Sequence, residues 1–281
     1  MICLQLAGGC TMSRKIKRDT VNVLSVLIAL LWIFPIIYMM ISSFKTESQV
    51  IIPGIFFKPT LENYQAVVNP EFYQHLVNSI IITCATVIFS TILAVSASYG
   101  LVFTPLKKPD KIYFWFVSTT FLPAVAVIAP IYFAFKKINM IDSYAAMILL
   151  YVGAGTPLMV WLVTTFFKEI PIEIIEAADI DGSSRLNTFF KIMLPLTKNG
   201  IVSAALLVFI TTWNEFFFAV TITYTNSSTL SVYMSKYMVQ QGYFWGKMCA
   251  AATMIVIIPI AMGFFTQKSL VKGLAAGSVK G

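Results

Sequence analysis

The chain has one acidic residue inside its apolar stretches, Glu215, which follows Asn214. A charged group at the centre of a membrane-spanning helix costs about 2.5–3.5 kcal/mol on insertion scales, so it should face protein or a water-filled path. In a water-filled path, Glu215 can line a translocation pathway with Asn214 beside it. Against protein, it can instead fix its helix through an interhelical hydrogen bond. Both roles stay open, and proton exchange is a third, less favoured one.

A polar segment between two long apolar stretches carries the turn signals of a helical hairpin. Pro171 predicts the first position of a short helix, where its missing N–H costs nothing. Gly182 predicts a left-handed end to that helix. Ser183 and Ser184 are candidate N-caps of a second helix, and Pro195 predicts its end.

The first helix of this hairpin has the features of a docking element. Ile174, Ala177 and Ala178 fall at helical spacing and share one face. The two alanines leave a shallow surface that suits close approach by another protein's backbone. Glu176 and Asp179 flank that face with charge.

The sequence contains no constellation of catalytic residues. With one histidine, His75, neither a Ser-His-Asp triad nor a histidine metal site can be assembled, and we expect His75 at the surface of an outer loop. The phosphate-binding pattern G-x-x-x-x-G-K-[ST] is absent. We therefore expect no catalytic residue, no metal site and no bound cofactor.

Aromatic and amide side chains are concentrated between the last two apolar stretches. They suit a pyranose, which offers a flat apolar face and hydroxyl edges. They equally suit an aromatic belt at the membrane interface. The residues concerned are Tyr233, Tyr237, Gln240, Gln241, Tyr243 and Trp245.

The composition is that of an integral membrane protein. Hydrophobic residues make up 58% of the 281 positions and charged residues 11%, whereas soluble domains carry about 25% charged residues. Six stretches are long enough to cross a hydrocarbon core of about 30 Å. The predicted spans are Val21–Ile41, Ser79–Val102, Ile112–Phe135, Tyr144–Phe167, Gly200–Thr223 and Met248–Phe265, with kinks predicted at Pro123, Pro130, Pro157 and Pro259.

Basic residues predict the orientation, because cytoplasmic loops carry an excess of Lys and Arg. They are concentrated before the first span and after the second, fourth and sixth, so we expect both termini and the polar hairpin in the cytoplasm. The net charge of +8 then reflects this bias and attraction to anionic lipid, and requires no nucleic acid. The residues are Arg14, Lys15, Lys17, Arg18, Lys107, Lys108, Lys111, Lys168, Arg185, Lys191, Lys198, Lys268, Lys272 and Lys280.

The hairpin resembles the EAA loop of binding-protein-dependent ABC importers. That loop reads Glu-Ala-Ala, three residues, Gly, nine residues, Ile, any residue, Leu-Pro. Here the same frame, without insertion or deletion, is Glu176, Ala177, Ala178, Gly182, Ile192, Leu194 and Pro195.

Further motifs resemble the carbohydrate-importing, maltose-type subgroup, and in particular its smaller permease. They occur in the same order along the chain as in that subgroup. The motifs are Ser42–Thr46, Asn63-Tyr64, Asn78-Ser79, Trp213–Phe216 and the tail Gly273–Gly281.

The resemblance implies an all-α membrane protein with the six-helix type I importer permease fold. It divides the chain into a cytoplasmic leader (1–20), a permease domain (21–267) that contains the coupling loop (168–198), and a cytoplasmic tail (268–281). We expect the leader to be disordered, or the chain to start at Met12.

The resemblance also implies partners in a bacterial cytoplasmic membrane. These are a second permease in a heterodimer, two ATPase subunits that bind the ATP, and an extracytoplasmic solute-binding protein. In that subgroup the loop with the aromatic and amide residues contacts the binding protein. The tail, here with Gly273, Gly277 and Lys280, docks on the ATPase dimer.

The function implied is ATP-driven import of a carbohydrate, an oligosaccharide or a related polyol, with no enzymatic activity in this chain. One alternative is an ABC permease for a non-sugar solute. A second is an ion-coupled secondary transporter, which should show several intramembrane acids or inverted repeats.

We predict that reporter fusions after Lys108 and Lys198 will read as cytoplasmic, and those near Asn139 and Ser228 as external. Positive-inside bias is the physical reason. Paired cytoplasmic and periplasmic reporters measure the outcome. A cytoplasmic signal from Ser228 would contradict the predicted topology, since the fifth span would then not cross.

Overall fold

The computed structural model describes the backbone of residues 3–52, 54–239 and 242–276, and the side chains of residues 18–52, 54–238 and 244–267. The chain forms two compact units. One comprises Met1–Val67 with Gln241–Thr253, and the other Val68–Gln240 with Met254–Gly281. Among the described residues, regular structure is helical apart from two strands of two residues each.

Long helices alternate with short ones that lie in the connections. One turn is π-helical, at Phe189–Met193. In chain order the elements are α1 (Cys3–Ser42), α2 (Glu47–Val50), α3 (Glu62–Val67), α4 (Pro70–Phe103), α5 (Pro109–Thr119), α6 (Ala124–Lys137), α7 (Tyr144–Lys168), α8 (Ile172–Ile180), α9 (Arg185–Thr188), the π turn, α10 (Leu194–Trp213), α11 (Phe217–Ile222), α12 (Leu230–Ser235), β1 (Met238–Val239), β2 (Gly242–Tyr243) and α13 (Trp245–Ala276).

Among the described residues, five helical segments are long and apolar enough to cross a membrane, and α5 with α6 makes a sixth span if this bent pair is counted as one. This agrees with the predicted fold class. The first, second, fourth and sixth predicted spans lie within helical segments. α1 begins at Cys3, so residues 3–20 continue the helix of the first span, and a start at Met12 stays a prediction.

The third predicted span, Ile112–Phe135, is not one helix. α5 and α6 are bent by 90° with respect to each other across a short break. Pro123 is the N-cap of α6, and it has no N–H with which to continue the preceding helix. The other prolines predicted to kink lie inside helices: Pro130 in α6, Pro157 in α7 and Pro259 in α13.

The fifth predicted span, Gly200–Thr223, is wrong at both ends. The helical segment runs from Arg185 to Trp213. Pro195 does not end the helix but lies in the first turn of α10, where the missing N–H of a proline costs nothing. Just before it, the N–H of Leu194, the residue after the π turn, donates to a carbonyl five residues earlier.

A stripe of small residues on α4 contributes to the packing of α4 on α7. In lipid, close approach and interhelical hydrogen bonds replace the hydrophobic effect as the cause of helix association. The Ser98 hydroxyl donates to the Val160 carbonyl at 3.3 Å and accepts from Thr164 Oγ1 at 2.9 Å. The stripe has a spacing of three or four residues and comprises the buried residues Ser79, Thr83, Thr86, Ser90, Ala94 and Ser98.

In the unit that contains α1, polar contacts hold the segment after that helix. Trp32 on α1 is 77% exposed, which suits lipid or another subunit, whereas Lys45 is 1% exposed. Lys45 Nζ donates to the Gly54 carbonyl at 2.6 Å and lies 5.1 Å from the centroid of the Tyr38 ring. Asn63 Nδ2 donates to the Lys45 carbonyl at 2.6 Å. The Ser42–Thr46 and Asn63-Tyr64 motifs therefore contribute to one structural cluster.

We predict that Gly200→Ala will lower the thermal midpoint of the protein. A Cβ at this position of α10 would lie 2.4 Å from Cγ of the Phe166 ring on α7, and overpacking of this kind costs about 1–3 kcal/mol. Fluorescence-detected size exclusion after heating in detergent measures the midpoint. Gly153→Ala is the matched control, since its Cβ would meet nothing within 4 Å.

Adding Phe166→Leu to Gly200→Ala should recover much of the lost midpoint, because the ring that collides is then gone. Equal midpoints for Gly200→Ala and Gly153→Ala would contradict the proposed close approach.

Candidate functional site

The polar hairpin turns at Gly182, which has a φ of 75°, as the sequence predicts. The Ser183 N–H donates to the Ala178 carbonyl at 2.9 Å and the Gly182 N–H to the Asp179 carbonyl at 3.1 Å. This pair of bonds is the Schellman motif, and it satisfies carbonyls that the end of α8 would leave without partners. Pro171 is the N-cap of α8 rather than its first residue.

The second helix of the hairpin is capped by a serine. Ser184 Oγ accepts from the Asn187 N–H at 3.4 Å, so the second of the two candidate caps is the one used. The buried Thr188 Oγ1 donates to Ser183 Oγ at 3.1 Å. The direction of the turn is therefore determined by local hydrogen bonds.

The two alanines of the hairpin do not share an exposed face as predicted. Ala178 is 5% exposed, so the side of α8 that carries it faces the interior of the protein. Glu176, Ala177 and Asp179 are exposed. Of the remaining residues in the frame, Ile192 and Leu194 are half-buried, and Pro195 is exposed.

The hairpin also exposes large apolar side chains. Ile180 is 86% exposed, Leu186 72% and Phe190 61%. Exposed apolar side chains are typical of interaction sites when they form a contiguous patch. These side chains were not predicted as part of the site, although their positions within the hairpin could have indicated them.

Glu215 lies at a break between α10 and α11, not within a continuous helix. Oε1 of its carboxylate accepts from the Phe218 N–H at 2.9 Å, and Oε2 from the Ala219 N–H at 3.2 Å. Both N–H groups belong to the first turn of α11, where a helix has no internal acceptors for them. The Tyr151 hydroxyl donates to Oε2 at 2.6 Å, and Ser231 Oγ donates to the Glu215 carbonyl at 2.7 Å.

A cavity of about 240 Å³ lies beside this carboxylate. Asn214 does not line it: this residue is exposed, and its Nδ2 donates to the Ile210 carbonyl at 2.9 Å. The structure thus places Glu215, but not Asn214, at a cavity. The lining residues are Thr120, Tyr151, Ala154, Gly155, Leu158, Thr211, Thr212, Glu215 and Phe218.

Two of the aromatic residues predicted for binding-protein contact are buried. Tyr233 is 2% and Tyr237 7% exposed, and their hydroxyls are 3.0 Å apart. Burial and this hydrogen bond raise the pKa of Tyr237. Asn69 Nδ2 donates to the Tyr233 hydroxyl at 3.1 Å. These tyrosines hold α12 against α4, and a partner cannot reach them in this conformation.

His75 packs beside these tyrosines, so our expectation of a surface histidine was wrong. It is 7% exposed, its ring centroid lies 5.1 Å from that of Tyr233, and Nδ1 lies 2.8 Å from the Glu71 carbonyl. Glu71 also forms an ion pair with Lys236. The cluster has a structural role in joining α4 to the residues around α12.

The other predicted residues of this loop and of the tail are only partly described. Trp245 is 45% exposed. Gly273 lies within α13. Gln240, Gln241, Gly277 and Lys280 lie outside the described residues, as does the side chain of Tyr243.

One carboxylate that was not predicted holds the loop between α11 and α12. Asp142 has a left-handed backbone, with a φ of 57°. Its oxygens accept from the backbone N–H groups of Tyr224, Thr225, Asn226 and Ser227 at 3.0–3.1 Å. Partial burial raises the pKa of Asp142, but these bonds outweigh it and bring the pKa to about 2.

Asn78 and Ser79 on α4 bind the same loop. Asn78 Nδ2 donates to the Ser228 carbonyl at 2.8 Å, and Ser79 Oγ accepts from the Leu230 N–H at 2.7 Å. The Asn-Ser pair that resembles a subgroup motif therefore has a physical role. Together with Asp142 it fixes the backbone that follows α11.

The spanning helices, the bent helix pair and the exposed capped hairpin are features of a membrane permease. The profile of the family described as "Binding-protein-dependent transport system inner membrane component" matches residues 87–271. The chain belongs to this family.

Two curated relatives match along most of their length. The trehalose/maltose transport system permease protein MalG of Thermococcus litoralis is 31% identical over 95% of this chain and 98% of its own. The diacetylchitobiose uptake system permease protein DasC of Streptomyces coelicolor is 27% identical over 92% of this chain and 96% of its own.

A solved structure confirms the fold. The crystal structure of a bacterial ABC transporter involved in the import of the acidic polysaccharide alginate aligns with a TM-score of 0.74 at 22% identity, covering 91% of this chain and 97% of that chain. The expected type I importer permease fold is thereby confirmed.

We predict that Asp142→Asn will loosen the loop it holds. An amide offers one acceptor oxygen and turns an NH₂ group toward backbone donors. Hydrogen exchange at Tyr224, Thr225, Asn226 and Ser227 should rise about tenfold, equivalent to about 1.4 kcal/mol. Asp110→Asn, at an exposed position of α5, is the control.

The same contact should be insensitive to pH between about 5 and 8. A carboxyl group whose pKa is lowered in the folded protein stabilises the folded state at pH values above its ordinary pKa. That contribution is lost as the pH falls through the folded-state pKa, here about 2. Amide hydrogen exchange in this loop that becomes faster as the pH is lowered from 8 to 5, after correction for intrinsic rates, would contradict this assignment.

Proposed function

We propose that this chain is the membrane-spanning subunit of an ATP-driven importer for a carbohydrate. The observation that carries the proposal is the exposed, doubly capped hairpin, which holds Glu176 and Ala177 outward in the EAA frame. Relatives named for trehalose and maltose and for diacetylchitobiose align over more than nine tenths of the chain, and they support a saccharide as solute.

The proposed assembly contains a second permease, two ATPase subunits and an extracytoplasmic solute-binding protein. The exposed apolar face of α1 supports lipid or the second permease as its neighbour. The hairpin would receive the ATPase, which supplies the ATP site that this sequence lacks. We keep the tail, with Gly273, Gly277 and Lys280, as a second ATPase contact, and Trp245 as a candidate for binding-protein contact.

The geometry supports a mechanism in which the hairpin transmits motion. Its second helix continues through the π turn into α10, so a displacement of the hairpin acts directly on a spanning helix. α10 also packs on α7 at Gly200 and ends beside the Glu215 cavity. Closure of the ATPase dimer would then alter the wall of that cavity, through differential docking in two states. In this topology both termini and the hairpin lie in the cytoplasm.

The function is tested by uptake of labelled trehalose and maltose into vesicles that contain the complete complex. We expect ATP-dependent uptake of at least one neutral saccharide.

Ala177→Trp should lower uptake at least about tenfold while the ATPase subunits keep hydrolysing ATP, because an exposed bulky ring separates two surfaces that otherwise meet at an alanine. Ala178→Trp is unsuitable, since that residue is buried and the hairpin would not fold.

Lys107→Trp, at an exposed position of the loop between α4 and α5, is the matched control for added bulk at the cytoplasmic side. Normal coupled uptake by Ala177→Trp would remove the hairpin from the mechanism. Uptake that persists without any ATPase subunit would favour an ion-coupled transporter instead.

A further inference from the structure

We propose that the cavity beside Glu215 binds hydroxyl groups of a neutral sugar on its way through the membrane, and that the Glu215 carboxylate selects against acidic sugars. This inference rests on the proposed function. It assigns a ligand class to a cavity for which the sequence supplied only one candidate residue.

Two helix breaks meet the same cavity. Thr120 follows α5 at the 90° bend, and Glu215 lies between the end of α10 and the start of α11. Within a bilayer, non-helical backbone is tolerated only where protein buries it or where it lines a water-filled space. Both breaks adjoin this cavity, which supports the second of these two environments, an aqueous path.

The cavity meets α7 near the middle of that helix. Its lining residues on α7 run from Tyr151 to Leu158, about 10–21 Å from the start of a helix that is about 37 Å long, at 1.5 Å per residue. An acid at this depth cannot face hydrocarbon without a large cost. Ala154 and Thr211 are exposed at the cavity, and we infer that this open side faces the second permease.

The polar groups of the cavity mainly accept hydrogen bonds. A carboxylate has about four acceptor positions, and Glu215 uses three of them for Tyr151, Phe218 and Ala219. The hydroxyls of Thr120 and Thr211 donate to carbonyls of their own helices, which leaves their oxygens able to accept. Sugar hydroxyls supply the matching donors.

The apolar part of the lining suits the faces of a sugar ring. Leu158, Phe218 and Gly155 complete the wall, and a Cβ at Gly155 would lie 3.1 Å from a methyl carbon of Val208. The volume of about 240 Å³ is below the roughly 300–1,000 Å³ of whole small-molecule sites. The cavity therefore suits one portion of a saccharide, with the rest held across the subunit interface.

Charge supplies the selectivity. Lysine and arginine do not occur among the lining residues, so nothing in the lining balances a uronate or sulfonate beside Glu215. Two like charges a few ångströms apart repel each other, and the repulsion grows as less water separates them. A neutral hydroxyl donates to the same carboxylate without that penalty.

The test uses thiol labelling in the complete complex, with the native cysteines at 3, 10, 84 and 249 replaced by serine. Ala154→Cys places a reporter on the cavity wall. Gly153→Cys is the matched control, one residue away at an exposed position that does not line the cavity. The probes are a cationic trimethylammonium and an anionic sulfonate methanethiosulfonate, with rates normalised to a free thiol.

We expect the cation to label Ala154→Cys about tenfold faster than the anion, and Gly153→Cys to show no such preference. Adding Glu215→Gln should abolish the preference, whereas adding Tyr151→Phe should keep it, since the carboxylate remains. Trehalose or maltose, whichever the complex imports, should slow labelling of Ala154→Cys.

A salt series keeps the test decisive if Glu215→Gln fails to fold. With Glu215 intact, the preference should shrink as salt rises to about 1 M, where the Debye length falls to about 3 Å. Equal normalised rates for the two probes at low salt, or labelling that an imported sugar does not slow, would overturn the inference.

Uptake by the unlabelled complex separates the two levels of proposal. If neither neutral disaccharide nor any other saccharide is imported, the proposed function fails. If a saccharide is imported but the labelling lacks the charge preference or the protection, only the assignment of this cavity fails.

Discussion

The structure depends on one constraint: in hydrocarbon, every backbone N–H and C=O must find a partner within the protein. Long helices satisfy it by themselves. Three places deviate from a continuous α-helix, and the backbone is satisfied differently at each. Before Pro195 the Leu194 N–H bonds the Phe189 carbonyl across a π turn, at Pro123 a new helix begins, and at Glu215 the carboxylate caps the next helix.

Glu215 and Asp142 are two carboxylates used in related ways at different depths. Asp142 accepts hydrogen bonds from backbone N–H groups of a segment distant in sequence. Glu215 accepts them from the first turn of the next helix. Asp142 does so near solvent, where it accepts several backbone hydrogen bonds at once and holds a loop. Glu215 does so beside a cavity, so the group that repairs the backbone is also available to a solute. Structural and pathway roles are therefore compatible in one residue.

The fold class and four spans were predictable, because apolar length and bilayer thickness determine them. The fifth span was misplaced because a proline was taken as a helix end, and no apolar count reveals a π turn. Ala178, Tyr233 and His75 were assigned to surfaces from residue type and position along the chain, whereas burial depends on which neighbour packs there. Asp142 was missed because its partners lie more than 80 residues away.

The π turn between the hairpin and α10 has a geometric consequence. A π turn is equivalent to one extra residue in an α-helix, and one residue corresponds to a rotation of about 100°. The hairpin is therefore rotated about the axis of α10 by more than a quarter turn. The reference for this rotation is the face of α10 that packs on α7. Changing the turn to a regular α-helix would re-aim the hairpin without altering any residue on its surface.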